Sequence, residues 1–198
     1  SSDLRIELVR RTIGPDKTLM VDMNCTWDLD DVLNAKEFFV QNDIFMVEEP
    51  IRSDDTAGYI RLTKELGGIK VAGIESEQGV SRFAELIKAD AMDVVQASLG
   101  WAGGFTGCRN IASTAHAFNK LYTPHSFFSA VMTAANIQFA ASQVNIPFIE
   151  AEENENPLRT ELLKEPIETD EHMNYYITDK PGLGIELDLD VIEKYIIK

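Results

Sequence analysis

Short apolar runs alternate along this chain with longer stretches of helical period. Thr18–Asp22, Ile44–Glu48, Ile69–Ile74, Asp93–Gln96, Leu121–Thr123 and Ile146–Glu150 read as strands. Between them Asp28–Gln41, Thr56–Leu66, Gly79–Ala89, Gly104–Asn119 and Ser129–Gln143 read as helices, with residues 4–13 as another before the first strand. Asp28 and Asp54 offer side-chain oxygens for N-caps, and Gly67-Gly68 offers a stop. The strand runs do not alternate: Thr-Leu-Met-Val before Asp22 and Ile-Phe-Met-Val before Glu48 are nearly all apolar. Such runs belong to parallel strands covered by helices on both faces, and their repeat points to βα units.

Each run closes on a polar position: Asp22, Glu48, Glu75, the Gln96–Ser98 stretch, His125 and Glu150. Taking Ser98 for the fourth, the steps are 26, 27, 23, 27 and 25 residues. One step per βα unit puts all six at the carboxyl ends of neighbouring strands. In a (β/α)₈ barrel those ends form one face, where active sites sit. An open sheet would spread them in a row. The expected fold is therefore a TIM-type (β/α)₈ barrel, incomplete here. About six βα units are present over residues 1–150, the first two strands are missing, and 151–198 form a C-terminal tail. Six strands would leave open edges, so these residues are expected to be part of a longer chain.

Composition narrows the function. Of 198 residues 44% are hydrophobic and 26% charged, a globular balance. The formal net charge of −15 would repel a phosphate backbone, so a nucleic-acid partner is not expected. No apolar run reaches the ~20 residues of a membrane span, and the start has no signal-peptide pattern. Cys25 and Cys108 lack metal-ligand spacing; they suggest a reducing, cytoplasmic setting and two buried apolar thiols.

An acidic protein needs a local cation to hold an anion, and the strand ends offer a place for one. Asp22, Glu48 and Glu75 fall on three consecutive strands, where bare carboxylates would repel one another. Oxygen-only donors favour Mg²⁺, or Mn²⁺, over Zn²⁺. Any single acid could be a solvated loop residue, but three at matching strand ends form a pattern that solvation does not explain. Glu49 and Glu77 also compete. Successive side chains point to opposite faces, so Glu48 and Glu49 cannot both face the site, and the 26-residue step selects Glu48. Asn24, two beyond Asp22, is a candidate contact for substrate or metal water.

Several motifs resemble the mandelate racemase group of the enolase superfamily. They are Val21-Asp22-Met23-Asn24, Val47-Glu48-Glu49-Pro50, Gly73-Ile74-Glu75, Gly103-Gly104-Phe105-Thr106-Gly107, Thr123-Pro124-His125, Phe148-Ile149-Glu150 and Pro181-Gly182-Leu183-Gly184-Ile185. The resemblance implies Mg²⁺ on Asp22, Glu48 and Glu75, holding a small-molecule carboxylate whose α proton is removed through an enediolate. It implies His125 as general acid or base and Glu150, if protonated, as a donor to the substrate carboxylate. It also implies a capping domain upstream of residue 1, to which the tail returns, and a homo-oligomer.

Two departures shape the reading. The family's second-strand lysine would lie upstream of residue 1. Ser98 stands where the racemases and sugar-acid dehydratases carry an Asp paired with the histidine, and where the muconate cycloisomerases and dipeptide epimerases carry a catalytic Lys. As the sixth-strand catalytic position, Ser98 could accept a hydrogen bond from His125 but could not stabilise an imidazolium by charge. His125 is then a weaker base, better suited to act as an acid. That favours a sugar-acid dehydratase, a hydro-lyase in which His125 helps a β-hydroxyl leave. A racemase or epimerase of a 2-hydroxy acid, a non-catalytic homologue that keeps the metal site, and a binding module for an acidic metabolite are the alternatives. The fragment alone is expected to be inactive.

Overall fold

The computed structural model describes residues 2–197. Five parallel strands, β1 Leu19–Asp22, β2 Ile44–Glu48, β3 Lys70–Gly73, β4 Val94–Val95 and β5 Leu121–Tyr122, pair in sequence order into one sheet. Helix α1 is Ser2–Ile13. The first connection carries α2 Leu29–Asn34 and α3 Lys36–Gln41, and the next three carry α4 Thr56–Glu65, α5 Val80–Lys88 and α6 Gly104–Ala117. Helix α7, Ala130–Ala141, follows β5. Parallel neighbours joined by helical crossovers are what the apolar runs predict.

Local differences from the sequence reading have identifiable partners. The stretch expected as one helix over Asp28–Gln41 is divided at Ala35, where ψ flattens to −3°. Asp55, not Asp54, caps α4: its carboxylate accepts from the Gly58 N–H at 2.9 Å, while Asp54 is held by Arg52 at 2.6 Å. Asp28 occupies the N-cap of α2 but makes no capping bond.

Side-chain alternation divides the sheet into two faces. Val47, Val71, Val95 and Tyr122 pack into the main core with Phe39, Leu62, Phe83, Leu86 and Ile111, all completely buried. Each such side chain contributes about 1.5–3 kcal/mol by leaving water. Met46, Ala72 and Val94 form a second cluster, packed by Met20, Leu121 and Phe148. Asp22 stands two residues beyond Met20, Glu48 two beyond Met46 and Gln96 two beyond Val94. Alternation assigns all three to this second face. Met20, Met23 and Met46 are packing residues.

The sixth expected strand, Ile146–Glu150, does not form. Pro147 lies inside it and has no N–H for a ladder. Asn145 fastens the segment's start instead. Its carbonyl accepts from Tyr122 N–H at 3.0 Å, and its amide donates to the carbonyls of Ala112 and Lys120 at 3.1 and 3.2 Å. Phe148 then packs edge-on to Phe45, with ring centroids 6.5 Å apart.

The tail contains α8 Pro157–Thr160, α9 Leu189–Tyr195 and two isolated antiparallel bridges, Leu163 to Leu187 and Thr169 to Tyr175. Among its described residues only Leu162 is a buried apolar side chain. No described helix is long and apolar enough to cross a membrane.

Candidate functional site

The strand ends assemble the site. Asp22 and Glu48 are the last residues of β1 and β2 and stand directly in register. Immediately beyond, the chain turns through left-handed backbone at Asn24, Cys25, Glu49 and Ile74, with φ between 38° and 62°. Non-glycine residues in that region cost about 1–3 kcal/mol each and cluster where a site over-determines the backbone. Gly73, at φ 135°, makes a close approach: a Cβ there would lie 3.0 Å from the Glu49 nitrogen and from the Tyr59 hydroxyl. The Gly73-Ile74 turn delivers Glu75 to the histidine that follows β5.

His125 is 8% exposed, and its Nδ1 stands 2.8 Å from Glu75 Oε2 and 3.3 Å from Glu150 Oε2. Neither contact is aligned as a hydrogen bond, so both are charge contacts. Burial alone would lower the imidazole pKa. The Glu150 and Glu75 carboxylates more than offset it and push it up to about 10. The rings of Phe128 and Trp101 lie 5.5 and 6.4 Å from the imidazole. The Asn136 amide donates to the His125 carbonyl at 3.4 Å and helps fix the segment.

Glu150 is held as an acceptor. The Ser126 N–H donates to its Oε2 at 2.7 Å and the Gln96 amide to its Oε1 at 3.0 Å. In both bonds its oxygens accept; the expected donor role concerns a different partner, the substrate carboxylate.

The two adjacent glutamates separate as their faces require. Glu49 turns away, 8% exposed, to Cys25 Sγ at 3.3 Å and Ser53 Oγ at 3.2 Å. Cys25 is therefore half-buried among polar groups rather than an apolar thiol. Cys108 is buried, as expected. Burial, then the charges of Glu150 and Asp22, push the Glu48 carboxyl up to about 8 against a hydrogen bond from Gln96. Burial also raises Asp22, with Glu75 and Glu150 adding to the shift, and Asn24 opposes it. Asn24 donates to Asp22 through its backbone N–H at 2.8 Å and its amide at 2.5 Å. It acts on a site carboxylate, whatever it does toward substrate.

Ser98 is completely buried, and its hydroxyl accepts from the Gly100 N–H at 3.1 Å. It is not the partner of His125; Glu75 and Glu150 fill that place, and their charges make the imidazole a stronger base, not the weaker one expected from Ser98. Gln96, two residues earlier, is the polar side chain of this strand end that reaches the carboxylates. The alternation running from Val94 was the signal for it.

The acids fit a hard divalent cation in kind: all are oxygen donors, and the charge of Glu75 adds to the upward shifts of Asp22 and Glu48. As the side chains stand, Glu75 is engaged by His125 and Asp22 by Asn24. Among the described residues no group of three or more His, Cys, Asp or Glu side chains is close enough to hold an ion. A cavity of about 1010 Å³ lies elsewhere, between α7 and the tail beside Lys164, Tyr176 and Lys180.

The chain spans about half the length of the relatives it matches. It is 30% identical over 194 residues to an arabinonate dehydratase of Saccharolobus solfataricus, covering 98% of this chain and 51% of that one. The crystal structure of a 3,6-anhydro-D-galactonate cycloisomerase from Zobellia galactanivorans superposes with a TM-score of 0.93 at 29% identity. That match covers 100% of this chain and 55% of that one. A racemase from Streptomyces coelicolor A3(2), solved with bound magnesium, superposes with a TM-score of 0.86 at 25% identity, over 98% of this chain and 50% of that one. A family model described as enolase C-terminal domain-like matches residues 4–191. With the parallel sheet and the acidic strand ends in place, this match covers nearly the whole chain, which belongs to the enolase C-terminal domain-like family.

Proposed function

We propose that the protein of which these residues form a part removes the α proton of a sugar acid and expels its β-hydroxyl as water, in a Mg²⁺-dependent reaction. The observation that carries the reading is the assembly of Asp22, Glu48, Glu75, His125 and Glu150 at one end of the parallel sheet. In this reading the sheet belongs to a (β/α)₈ barrel completed by the longer chain, without which these residues are inactive. The likenesses to a dehydratase and to a magnesium-bound racemase support it.

Asp22, Glu48 and Glu75 would hold the ion. When bound, Mg²⁺ supplies positive charge that fixes the substrate carboxylate and stabilises the anion left by loss of the α proton. His125 presents Nδ1 to the carboxylates, which leaves Nε2 to deliver a proton to the departing hydroxyl. Glu150, fixed by Ser126 and Gln96, orients the imidazole. The α C–H electrons pass into the substrate carboxylate as the proton leaves, and return to form the Cα–Cβ double bond as the β C–O bond breaks. Water departs with the proton from His125, and the enol becomes a 2-keto-3-deoxy acid. The base for the α proton lies outside the residues described. Ser98, buried against Gly100, serves by shaping the loop and not by transferring a proton.

The test is to incubate the full-length protein and MgCl₂ with a panel of aldonic and aldaric acids. Formation of a 2-keto-3-deoxy acid is the expected result. No water loss and no α-proton exchange in deuterated water, with any member, would refute the proposal. A second reading, cycloisomerisation, is supported by the likeness to the Zobellia enzyme. It shares the α-proton step but expels a ring oxygen, so its product keeps the mass of the substrate.

A further inference from the structure

Glu49 follows Glu48 on left-handed backbone, with φ 38°, and is buried. Its main chain joins two other turns. The N–H donates to the Ala72 carbonyl of β3 at 3.1 Å, and the carbonyl accepts from the Cys25 N–H after β1 at 2.8 Å. Its carboxylate repeats the second link. Oε2 accepts from Cys25 Sγ at 3.3 Å and Oε1 from Ser53 Oγ at 3.2 Å, while Sγ and Oγ stand 3.2 Å apart. These three side chains close a ring between the turns after β1 and β2. Gly73 leaves room for it, since a Cβ there would lie 3.1 Å from Glu49 Cγ.

The ring holds a strained segment. Asn24 and Cys25 are consecutive non-glycine residues on left-handed backbone, with φ 46° and 57°, a conformation that persists only where its surroundings impose it. Asn24 is the residue that donates twice to Asp22. Stability is a poor reason for a carboxylate at position 49. Taking its charge out of water is costly, and one hydroxyl with one weak thiol donor returns little of that cost.

We propose that Glu49 is a positioning residue: it locks the turn after β1 to the turn after β2 and so holds Asn24 on Asp22, beside Glu48. Its effect on Mg²⁺ rests on the metal reading above; the lock itself does not. Groups that orient metal ligands without touching the ion typically contribute about 10–100-fold in metal affinity.

The experiment compares the full-length wild type with Glu49→Ala, Glu49→Gln, Asn24→Ala and the double variant of Glu49→Ala with Asn24→Ala. Hydrogen exchange is followed in the metal-free proteins, and MgCl₂ is titrated by calorimetry at a temperature where all are folded. Glu49→Ala should speed exchange at residues 23–26 and raise the Mg²⁺ midpoint by about 10-fold or more. Glu49→Gln keeps an oxygen acceptor for the ring and should stay near wild type in both. Because Glu49 acts through Asn24, the double variant should bind Mg²⁺ no more weakly than the weaker single variant. If Glu49→Ala does not fold, the combination of Cys25→Ala with Ser53→Ala, which removes both donors to the carboxylate, is expected to give the same two effects. Unchanged exchange at residues 23–26 would overturn the lock. So would an effect of Glu49→Gln as large as that of Glu49→Ala, which would assign the role to charge. A wild-type Mg²⁺ midpoint in Glu49→Ala, or additive losses in the double variant, would overturn the action through Asn24 on Asp22. If the wild type itself does not respond to Mg²⁺, the metal reading falls, and exchange at residues 23–26 alone decides the role of Glu49.

Discussion

Glu75 Oε2 lies 2.8 Å from His125 Nδ1, although the two residues belong to turns after β3 and β5 with another strand between them. One carboxylate therefore faces two demands: counter-ion to the imidazole, or ligand to a cation shared with Asp22 and Glu48. Removing the imidazole removes one of them.

His125→Gln should abolish the proton delivery and lower turnover by about 10²–10⁴-fold, the usual worth of a positioned acid or base. The same variant should bind Mg²⁺ at least as tightly as the wild type, because Glu75 is released. Turnover on the substrate found by the acid panel, with a MgCl₂ melting titration beside it, checks both halves. A weaker Mg²⁺ response would show that His125 supports the site rather than competing for Glu75.

Glu48 and Glu49 should behave differently despite being adjacent. Glu48→Gln is expected to eliminate the rise in melting temperature caused by MgCl₂. Glu49→Gln, which faces Cys25 and Ser53, should keep that rise even if its baseline stability changes. Equal loss in both variants would contradict the assignment of faces.

Gly73→Ala tests the turn that delivers Glu75. The added Cβ would meet the Glu49 nitrogen and the Tyr59 hydroxyl at 3.0 Å, on a backbone with φ of 135°. Strain of this kind costs about 1–3 kcal/mol, so the urea midpoint of the full-length protein should fall accordingly. An unchanged midpoint would mean that the turn relaxes at little cost.

Asn145→Ala should loosen the segment that carries Glu150. The substitution leaves the carbonyls of Ala112 and Lys120 without their amide donor. Loss of such buried bonds costs about 1–3 kcal/mol. Hydrogen exchange should speed at residues 146–150 before it speeds in β2 and β3. Uniform acceleration across the sheet would argue against a local anchoring role.

Much of this molecule is determined by patterns that act within one βα unit. Continuous apolar runs specify buried parallel strands, and the near-regular step from Asp22 through Glu48 to Glu75 places the acids at strand ends. Face alternation sorts Glu48 from Glu49. Those properties depend on a period of two along a strand and on the length of one strand–helix repeat, so they can be read without coordinates. The partners of the polar groups depend on where other strands deliver their side chains. Ser98 shares a strand end with Gln96, yet the Gly100 N–H donates to its hydroxyl while Gln96 reaches Glu150. His125 finds Glu75 across an intervening strand, and Glu150 reaches the site on a Pro147-interrupted segment that makes no ladder. Alternation and spacing bring these residues to the same end of the sheet. Which of them touch is decided by tertiary packing, because hydrogen bonds and ion pairs act over about 3–4 Å while strand-end spacing locates a side chain only to its strand and face.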